Sequence, residues 1–407
     1  MGNLRPVLII GLVFLGYMIW VQWQKDYGPA PQPPAAQSQA QSDTPSVPVT
    51  AADRTADAVD LPSPVDVQKA RPEDSGSIQL EEDISKSELI TVTTDVLEVA
   101  IDPVGGTLVS ARLLDYPVRQ KEPDTKINLL APSGDYLFIA QSGLLSHQQA
   151  PNHTSLYNSE RTEYVLTDGE NELRVPLTWV SQEGVKVTKD YVFRRGAYDI
   201  DVIHHVENGG ETEWTGSRYD QLQRSVPGDE ESAGFTNPSR YSFDGIGFYN
   251  PEDKFEKVDF DDVADEPYKT TTRGGWLAMI QHYFFTAWIP PAEEEVTYTT
   301  QAITGNGWPR YVARNVSPAR PVASGDSSQF SSKLYVGPKL QDEIPDIAPG
   351  LEYTVNYGIF TVFSKPLYWL LAKIHSVVGN WGWAIVILTI LIKAAFFKLT
   401  EAQYRST

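Results

Sequence analysis

Two long apolar runs near the ends of the chain constrain its fold more than any other feature of the sequence. The first, residues 6–23 in "RPVLIIGLVFLGYMIWVQW", holds about 17 apolar residues between Arg5 and Gln24, close to the ~20 that cross a bilayer as a helix. Trp20 and Trp23 at its far end are typical of the membrane–water interface. The run therefore predicts a transmembrane helix. A cleaved signal peptide is the alternative, although these tryptophans occupy the place where a small-residue cleavage site would stand.

The second run, "GNWGWAIVILTILIKAAFFKL", is apolar from Trp381 to Phe397 apart from Thr389 and Lys393. It predicts a second transmembrane helix over residues 381–399. Lys393 is the unusual residue, because a charge at the centre of a bilayer costs a few kcal/mol. Counted from Thr389, Lys393 lies ~6 Å along the helix at 1.5 Å per residue. A lysine side chain spans a similar distance, so snorkelling to the interface is one sufficient explanation.

A shorter amphipathic helix is predicted over residues 364–378, in "SKPLYWLLAKIHSVVGN". Ser364 and Pro366 are typical start signals, and Lys373 and His375 lie outside the apolar stripe. Such a helix next to a spanning helix is expected to lie in the membrane interface, with a core helix of the soluble domain as the alternative. The stripe has i, i+3, i+4 spacing and consists of Leu367, Leu370, Leu371, Ile374 and Val378.

The basic residues that flank the two runs predict their orientation. Arg5 precedes the first run, and Lys398 and Arg405 follow the second, so residues 1–5 and 400–407 are expected in the cytoplasm. The acidic bulk between the runs then lies on the other face of the membrane, which in a bacterial cell is the periplasm. The prediction is thus a multi-pass protein of the inner membrane with a large periplasmic loop.

Charge and cysteine content exclude several classes of function. The formal net charge is −20, which argues against a general binder of nucleic acid or of anionic membranes, and the part of the chain outside the membrane is expected to repel both. The chain has no cysteine, so disulfides, thiol nucleophiles and thiolate metal sites are excluded.

The region between the apolar runs divides into a linker and a domain. Residues 24–85 are rich in Pro, Ala, Gln and Ser and cannot bury enough apolar surface to fold, so they are expected to be a disordered tether. Residues 86–345 alternate between apolar and polar residues in short runs, which predicts one all-β sandwich. The fold class predicted is therefore a membrane protein with a large all-β periplasmic domain plus transmembrane and interfacial helices.

Particular stretches of this domain support the strand assignment. "ITVTTDVLEVAIDPVGGTLVSARL" predicts three strands with a turn at Gly105 and Gly106. "VKVTKDYVF", the turn "RRGA" and the alternating residues 198–206 predict an antiparallel hairpin. "GGWLAMIQHYFFTAWIP" is ambiguous in its periodicity, and we predict mostly strand.

Candidate catalytic residues in the domain are few. His204 lies on the apolar side of its strand and is more typical of a hydrogen-bonded core histidine than of a catalytic one. The acidic stretch from Asp259 to Glu266 lacks the glycine and the spacing of an EF-hand loop and is expected to be a solvated loop. No nucleophile elbow, zinc-protease motif or P-loop occurs. We therefore predict no enzyme activity, no cofactor and no metal site.

At this point the sequence resembles the YidC membrane-protein insertases of Gram-negative bacteria. The resemblance rests on the N-terminal anchor, on "LITVTTDVLEVAIDPVGGTL" and "GGWLAMIQHYFFTAWIP", and above all on "IHSVVGNWGWAIVILTILIKAAFFKLTEAQY". It implies a mutarotase-like β-supersandwich without sugar chemistry as the periplasmic domain. It also implies an insertase and chaperone that acts alone or with the Sec translocon, with nascent membrane proteins and the lipid bilayer as partners.

The sequence departs from the family pattern in two ways. The family usually carries Arg at the position of Lys393 and commonly Pro at that of Lys398. Its members also continue with a cytoplasmic helical hairpin and further spanning helices, whereas this sequence stops at Thr407. The expectation is a fragment or a truncated protein, with ribosome contacts only in the missing C-terminal part.

Two functional interpretations of the chain remain open from the sequence. In the first, the resemblance implies that Lys393 supplies the positive charge of a hydrated groove that attracts acidic residues of an inserting chain. In the second, the periplasmic sandwich is a tethered module that docks translocon subunits or folding factors. A third interpretation, that the domain is a sugar-active enzyme, would be supported only by analogy of fold.

Overall fold

The structure is a computed structural model of the 407-residue chain. The predicted cytoplasmic N-terminus, first transmembrane helix and linker at residues 1–85 lie outside the residues it describes. The described residues belong to two compact units, one that ends at Val355 and one that comprises the helices after it. The ranges described are 88–119, 121–133, 136–226, 243–303, 308–355 and 361–405.

The first unit is built from β-strands, as the alternating sequence predicts. Its described residues form nineteen strands, and most of these alternate between buried and more exposed side chains. The first ten are β1 (Ile90–Thr93), β2 (Leu97–Asp102), β3 (Thr107–Arg119), β4 (Glu122–Ser133), β5 (Tyr136–Ser146), β6 (Glu163–Val165), β7 (Glu172–Val180), β8 (Val185–Arg194), β9 (Asp199–Asn208) and β10 (Trp214–Ser225). The other nine are β11 (Gly245–Asn250), β12 (Lys254–Val258), β13 (Lys269–Arg273), β14 (Trp276–Ile280), β15 (Phe284–Ile289), β16 (Glu295–Ile303), β17 (Arg310–Val316), β18 (Arg320–Val322) and β19 (Ser327–Pro338).

These strands form two sheets. Sheet A has eleven strands in the order β13-β16-β17-β10-β5-β4-β3-β2-β1-β6, with β18 also paired to β10. Sheet B has eight strands in the order β12-β11-β14-β15-β19-β9-β8-β7. The predicted hairpin is confirmed, because β8 and β9 pair antiparallel. The ambiguous stretch is also confirmed as strand, since it forms the antiparallel pair β14 and β15.

The two sheets share one hydrophobic core, which makes the domain a sandwich. Trp288 of sheet B is completely buried in it, and Trp276, which lies on the opposite face of sheet B by the strand register, is also completely buried. Burial of aromatic rings of this size is a large part of the driving force for folding. Each indole N–H also donates a hydrogen bond. Trp288 Nε1 donates to the carbonyl oxygen of Gln221 on sheet A at 3.0 Å, and Trp276 Nε1 donates to that of Pro349 at 3.1 Å.

The predicted turn at Gly105 and Gly106 connects β2 to β3, and both residues have positive φ, +76° and +54°. A Cβ on Gly105 would lie 2.2 Å from the carbonyl oxygen of His153, so the turn requires glycine there for space as well as for conformation.

Short helical turns occupy two places in this unit. The acidic stretch contains a 3-10 helix, Phe260–Val263, whose two apolar residues are buried while Asp261 and Asp262 are exposed. After the last strand, helix α1 (Ile344–Ile347) and a 3-10 helix (Leu351–Thr354) continue the unit beyond the predicted domain end at residue 345. Ile344 and Leu351 are fully buried, so this closing segment is part of the core.

The second unit contains helix α2 (Thr361–Val378) and helix α3 (Trp381–Arg405). Helix α2 already includes residues 361–363, before the predicted start at residue 364, and it has Pro366 in its interior. The prediction that Ser364 and Pro366 start the helix is therefore wrong. Proline is common at the first position of a helix, but here the helix contains a turn before Pro366, although proline has no N–H to donate to that turn.

Candidate functional site

The junction of α2 and α3 has well-defined geometry. Gly379, with φ +69°, ends α2, and its N–H donates to the carbonyl oxygen of His375 at 2.7 Å. The side chain of Asn380 accepts a hydrogen bond from Trp383 N–H at 3.2 Å, which caps α3. The rings of His375 and Trp381 stack with 3.8 Å between centroids and 8° between planes. Contacts on both sides of the turn thus connect the two helices.

Helix α3 exposes bulky apolar side chains over most of its described surface. Between Trp381 and Phe397 only Ala384 is buried. Exposed large apolar residues of this density mark a surface that contacts lipid or another protein. They are Trp381, Trp383, Ile385, Val386, Ile390, Leu391, Phe396 and Phe397.

Within the part of the chain that the structure describes, no helix has the length and apolar character needed to cross a membrane. The spanning helix predicted for residues 381–399 therefore stays a prediction.

Lys393 is exposed on α3. It follows Ala384 by nine residues, which at about 100° per residue places it on the opposite side of the helix. Ala384 is fully buried on α3, which is in contact with α2, and Lys393 lies on the side of the helix opposite Ala384. Among the described residues it forms no ion pair. The structure thus leaves this ammonium available, and its predicted role stays a prediction.

The predicted apolar stripe of α2 is only partly covered. Leu367 and Val378 are exposed, at 40% and 38%. Leu370, Leu371 and Ile374 are half-buried. These residues are compatible with an interfacial helix, and their assignment to lipid contact also stays a prediction.

The sandwich contains a second set of candidate groups, a line of buried charges between its sheets. Lys189 on β8 has no solvent exposure, and its Nζ donates to the carbonyl oxygens of Gly105, Gly106 and Ser142 at 3.0, 2.9 and 3.0 Å. Burial lowers the pKa of Lys189 to about 7, while Asp220 acts in the opposite sense. The ammonium therefore bridges sheet B to two parts of sheet A.

Arg218 and Asp220 on β10 continue this line. Arg218 Nε lies 2.9 Å from Asp220 Oδ2, and its Nη2 lies 2.9 Å from Glu294 Oε2. Ser332 on β19 donates to the other oxygen of Asp220 at 3.0 Å. Burial raises the pKa of Asp220, and the adjacent guanidinium opposes that shift. The network ties sheet A to sheet B through paired charges.

His204 lies in the same layer and is fully buried. Burial, with Lys189 and Arg218 close by, holds the pKa of His204 well below its usual value, so the ring is neutral. The prediction of a core histidine is confirmed. Its predicted hydrogen bond is wrong within the described residues, where neither ring nitrogen has a partner.

Sequence reasoning missed Lys189 and Arg218, although one signal for Lys189 was present. In "VKVTKDYVF", Lys189 shares the parity of Val185, Val187 and Tyr191, the side that faces the core. A lysine at that parity predicts a buried ammonium with dedicated acceptors. Because these groups are closed to solvent and already paired, the arrangement stabilises the sandwich and offers no place for a substrate.

The outer face of sheet B carries an open cavity of about 670 Å³. Residues that line the cavity include Tyr249, Trp276, Pro290, Pro349 and Ser331. The lining is mainly apolar, and its two charged residues, Asp201 and Lys333, pair with each other at 3.5 Å. Among the described residues, no group of three or more His, Asp or Glu side chains is placed to hold a metal ion.

Comparison with known proteins identifies relatives along the whole chain. A sequence profile described as the YidC periplasmic domain matches residues 89–370. A protein of Methylococcus capsulatus named membrane protein insertase YidC is 45% identical, over 100% of this chain and 70% of its own length. Proteins of the same name from Thioalkalivibrio sulfidiphilus and Nitrosococcus oceani are 40% and 37% identical, with 71% of their lengths covered.

Among solved structures, a galactose mutarotase-like protein from Lactobacillus casei aligns with 61% of this chain and 99% of its own, at 10% identity and a TM-score of 0.40. A putative aldose 1-epimerase from Escherichia coli aligns with 61% of this chain and 98% of its own, at 10% identity and a TM-score of 0.36. At this sequence identity and TM-score, the two alignments establish no property of the chain.

Proposed function

This chain belongs to the YidC family of membrane protein insertases, and we propose that it helps integral membrane proteins to insert and fold in the bacterial inner membrane. The observation that carries the proposal is the identity of 36–45% to named insertases over essentially the whole chain. Insertion forms and breaks no covalent bond, which agrees with the absence of catalytic motifs from the sequence. The protein acts on nascent membrane proteins at the lipid bilayer.

We place residues 6–23 and 381–399 across the membrane, with both ends of the chain in the cytoplasm and the β-sandwich in the periplasm. Support comes from the basic residues Arg5, Lys398 and Arg405, which flank the two apolar runs on one side. The profile match of residues 89–370 to a periplasmic domain supports the location of the sandwich. The exposed apolar side chains of α3 would then contact lipid and further helices.

Within this arrangement, Lys393 supplies positive charge to a hydrated groove on α3. Its exposure on the side opposite Ala384 supports this role, because a substrate segment could approach there without displacing α2. A fixed cation in a medium less polar than water attracts acidic residues of the substrate and lowers the cost of their entry. Snorkelling of Lys393 to the interface, with no role in insertion, is the alternative.

Complementation tests the proposed function. Cells depleted of their own insertase would receive either the 407-residue chain or that chain extended by the part of the Methylococcus relative that has no counterpart here. We expect the extended protein to restore insertion of a membrane-protein reporter and the 407-residue chain to restore little. Failure of the extended protein, expressed at normal level in the inner membrane, would contradict the insertase function. Equal rescue by both would contradict the need for a groove completed by further helices.

A second role is favoured by the sandwich itself, which forms a compact unit with the edge strands β12 and β13 at the ends of its sheets. We propose that it docks subunits of the Sec translocon or periplasmic folding factors by addition of a strand to an edge. Deletion of most of residues 90–340, with both apolar runs kept, should abolish co-purification of such partners and leave insertion intact. Unchanged co-purification would contradict this role.

A further inference from the structure

Five exposed residues of α2 that lie outside its predicted apolar stripe define a second surface, here called the lysine face. It consists of Phe363, Pro366, Trp369, Lys373 and Val377, at spacings of three or four residues. All five are exposed, with Phe363 at 57%, Trp369 at 62% and Val377 at 86%. At about 100° per residue these positions fall within roughly 120° of arc on the helix, an arc that also contains the half-buried Leu370 of the apolar stripe.

The opposite side of α2 is occupied. Positions Ser364, Tyr368, Leu371, Ala372 and His375 fall within about 100° of arc on that side, and all are half-buried. His375 stacks on Trp381, the first residue of α3, and the two helices are in contact. The half-buried side therefore faces α3, and the lysine face is the free side of α2 among the described residues of the helical unit.

The composition of the lysine face is unusual for water. Three bulky apolar residues surround one lysine, with Trp369 one turn before Lys373 and Val377 one turn after it. Tryptophan and lysine side chains both prefer the membrane interface, the ring at headgroup level and the ammonium extended toward phosphate. Phenylalanine and valine contribute acyl-chain contacts on either side.

Charge in this part of the chain has the opposite sign from the rest. Between Glu352 and Glu401 the sequence contains Lys365, Lys373, Lys393 and Lys398 and no Asp or Glu, in a chain whose net charge is −20. No carboxylate of α2 or of α3 before Glu401 competes for Lys373. The complementary partner is therefore an anionic surface.

We infer that the lysine face of α2 binds anionic phospholipid in the outer leaflet of the membrane, with the Lys373 ammonium on a headgroup phosphate and the Trp369 ring beside it. The inference rests on the proposed membrane topology. What it adds to an interfacial helix is the ligand of the lysine face, an anionic headgroup. Anionic lipid would thereby hold α2, and through the His375–Trp381 stack the start of α3, at a fixed depth. Each basic residue near an anionic surface is worth about fivefold in binding.

The absence of cysteine allows a direct test. Val377→Cys places one thiol on the lysine face of the full chain, and Thr271→Cys places one on exposed strand β13 as a control. Each protein would be reconstituted in phosphatidylcholine vesicles with or without a quarter of phosphatidylglycerol, and labelled with a nitroxide. Collision with oxygen reports lipid, and collision with a water-soluble nickel chelate reports water. Insertion of a reporter would be measured in vesicles of the same composition that contain the extended protein with the same substitutions.

We expect the label at position 377 to be more accessible to oxygen than to nickel, and to move deeper with phosphatidylglycerol. Lys373→Gln should abolish that lipid-dependent shift, and Lys269→Gln, an exposed lysine on the sandwich, should keep it. The label at position 271 should stay accessible to nickel throughout. Inorganic phosphate should not replace the lipid.

Other outcomes would overturn the inference. A label at position 377 that is open to nickel shows that water covers this face, and one shielded from both reagents shows that protein covers it. A shift that survives Lys373→Gln overturns the headgroup contact alone. Normal insertion of the reporter in any of these cases leaves the proposed insertase function intact, whereas loss of insertion with the expected label behaviour contradicts only that function.

Discussion

The buried ammonium of Lys189 lies 2.9 Å from the carbonyl oxygen of Gly106, across the interface between the two sheets. Gly106 belongs to the turn between β2 and β3, whose positive φ angles direct two successive carbonyl groups toward the lysine. This contact connects a residue of β8 to a residue 83 positions earlier in the chain. It makes the turn and the buried charge parts of one structural element.

Substitution of Lys189 should destabilise the sandwich strongly. Lys189→Met keeps most of the side-chain volume but leaves three buried carbonyl oxygens without this donor, at an expected cost of about 2–5 kcal/mol. The matched control is Lys186→Met on the same strand, where the lysine pairs with Glu207 in an exposed position, and we expect a cost of at most ~1 kcal/mol. Urea unfolding of the purified chain in detergent, followed by tryptophan circular dichroism, measures both. Equal effects of the two substitutions would contradict the structural role of Lys189.

The same lysine predicts a pH dependence. The folded-state pKa of about 7 lies below the ordinary 10.5, so the unfolded chain binds more protons in between. The free energy of unfolding should therefore rise with pH from about 7 to 10, by at most ~1.4 kcal/mol per unit from this group. Lys339, with a pKa lowered to about 8 by burial, contributes in the same direction. The difference in unfolding free energy between the native chain and Lys189→Met isolates Lys189, and a flat or falling difference would refute the prediction.

The paired charges around Arg218 should also be essential to stability. Arg218→Met leaves the buried carboxylate of Asp220 without its guanidinium and leaves Glu294 with Arg320 alone, and we expect a loss of about 3–5 kcal/mol. Arg112→Met, which removes an exposed pair with Glu98 at 3.2 Å, should cost less than ~1 kcal/mol. Thermal unfolding of both variants alongside the native chain gives the comparison. A small effect of Arg218→Met would show that the network is dispensable.

Two glycines with the same backbone angle, one in the closing segment and one outside it, allow the steric cost of an added Cβ to be measured separately from its conformational cost. Gly350 and Gly325 both have φ of +82°, but a Cβ on Gly350 would lie 2.4 Å from the ring of Tyr249, whereas one on Gly325 meets no atom within 4 Å. Gly325→Ala should cost about 1 kcal/mol, and Gly350→Ala about 1–3 kcal/mol more. Unfolding free energies that are equal for the two variants would contradict the packing of the closing segment against Tyr249.

Local periodicity predicted the parts of this fold that depend on neighbours in sequence. Alternation of apolar residues gave the hairpin of β8 and β9, and the glycine pair gave the turn between β2 and β3. The order of strands was beyond such reasoning, because β10 pairs with β5 and β17, which are far away in sequence. The buried charges Lys189 and Arg218 could not be predicted for the same reason. A charged residue is expected to be solvent-exposed unless its partners are known, and here those partners are distant in sequence.

The helices illustrate a different limit. The spacing of apolar residues gave the stripe of α2, but the lysine face emerges only when exposure is known residue by residue. Pro366 suggested a helix start, whereas the residues from Thr361 onward are already helical. For Lys393, the position of a charge follows from the sequence, and the structure adds that this charge is exposed on the side of α3 opposite Ala384.

The central claim, that Lys393 contributes positive charge to insertion, is tested most directly by a charge series at this position in the extended protein. Insertion of two reporters that differ only in an acidic or a neutral translocated tail would be compared for Lys393→Arg, Lys393→Ala and Lys393→Glu, with Lys269→Ala as control. We expect Arg to preserve insertion. Ala should lower insertion of the acidic tail by at least about fivefold relative to the neutral tail, because two charges in contact attract by ~1 kcal/mol even in water and more strongly in a less polar medium. Glu should lower it further. Equal insertion of the acidic tail by the Lys, Ala and Glu forms would contradict the claim and leave snorkelling as the role of Lys393.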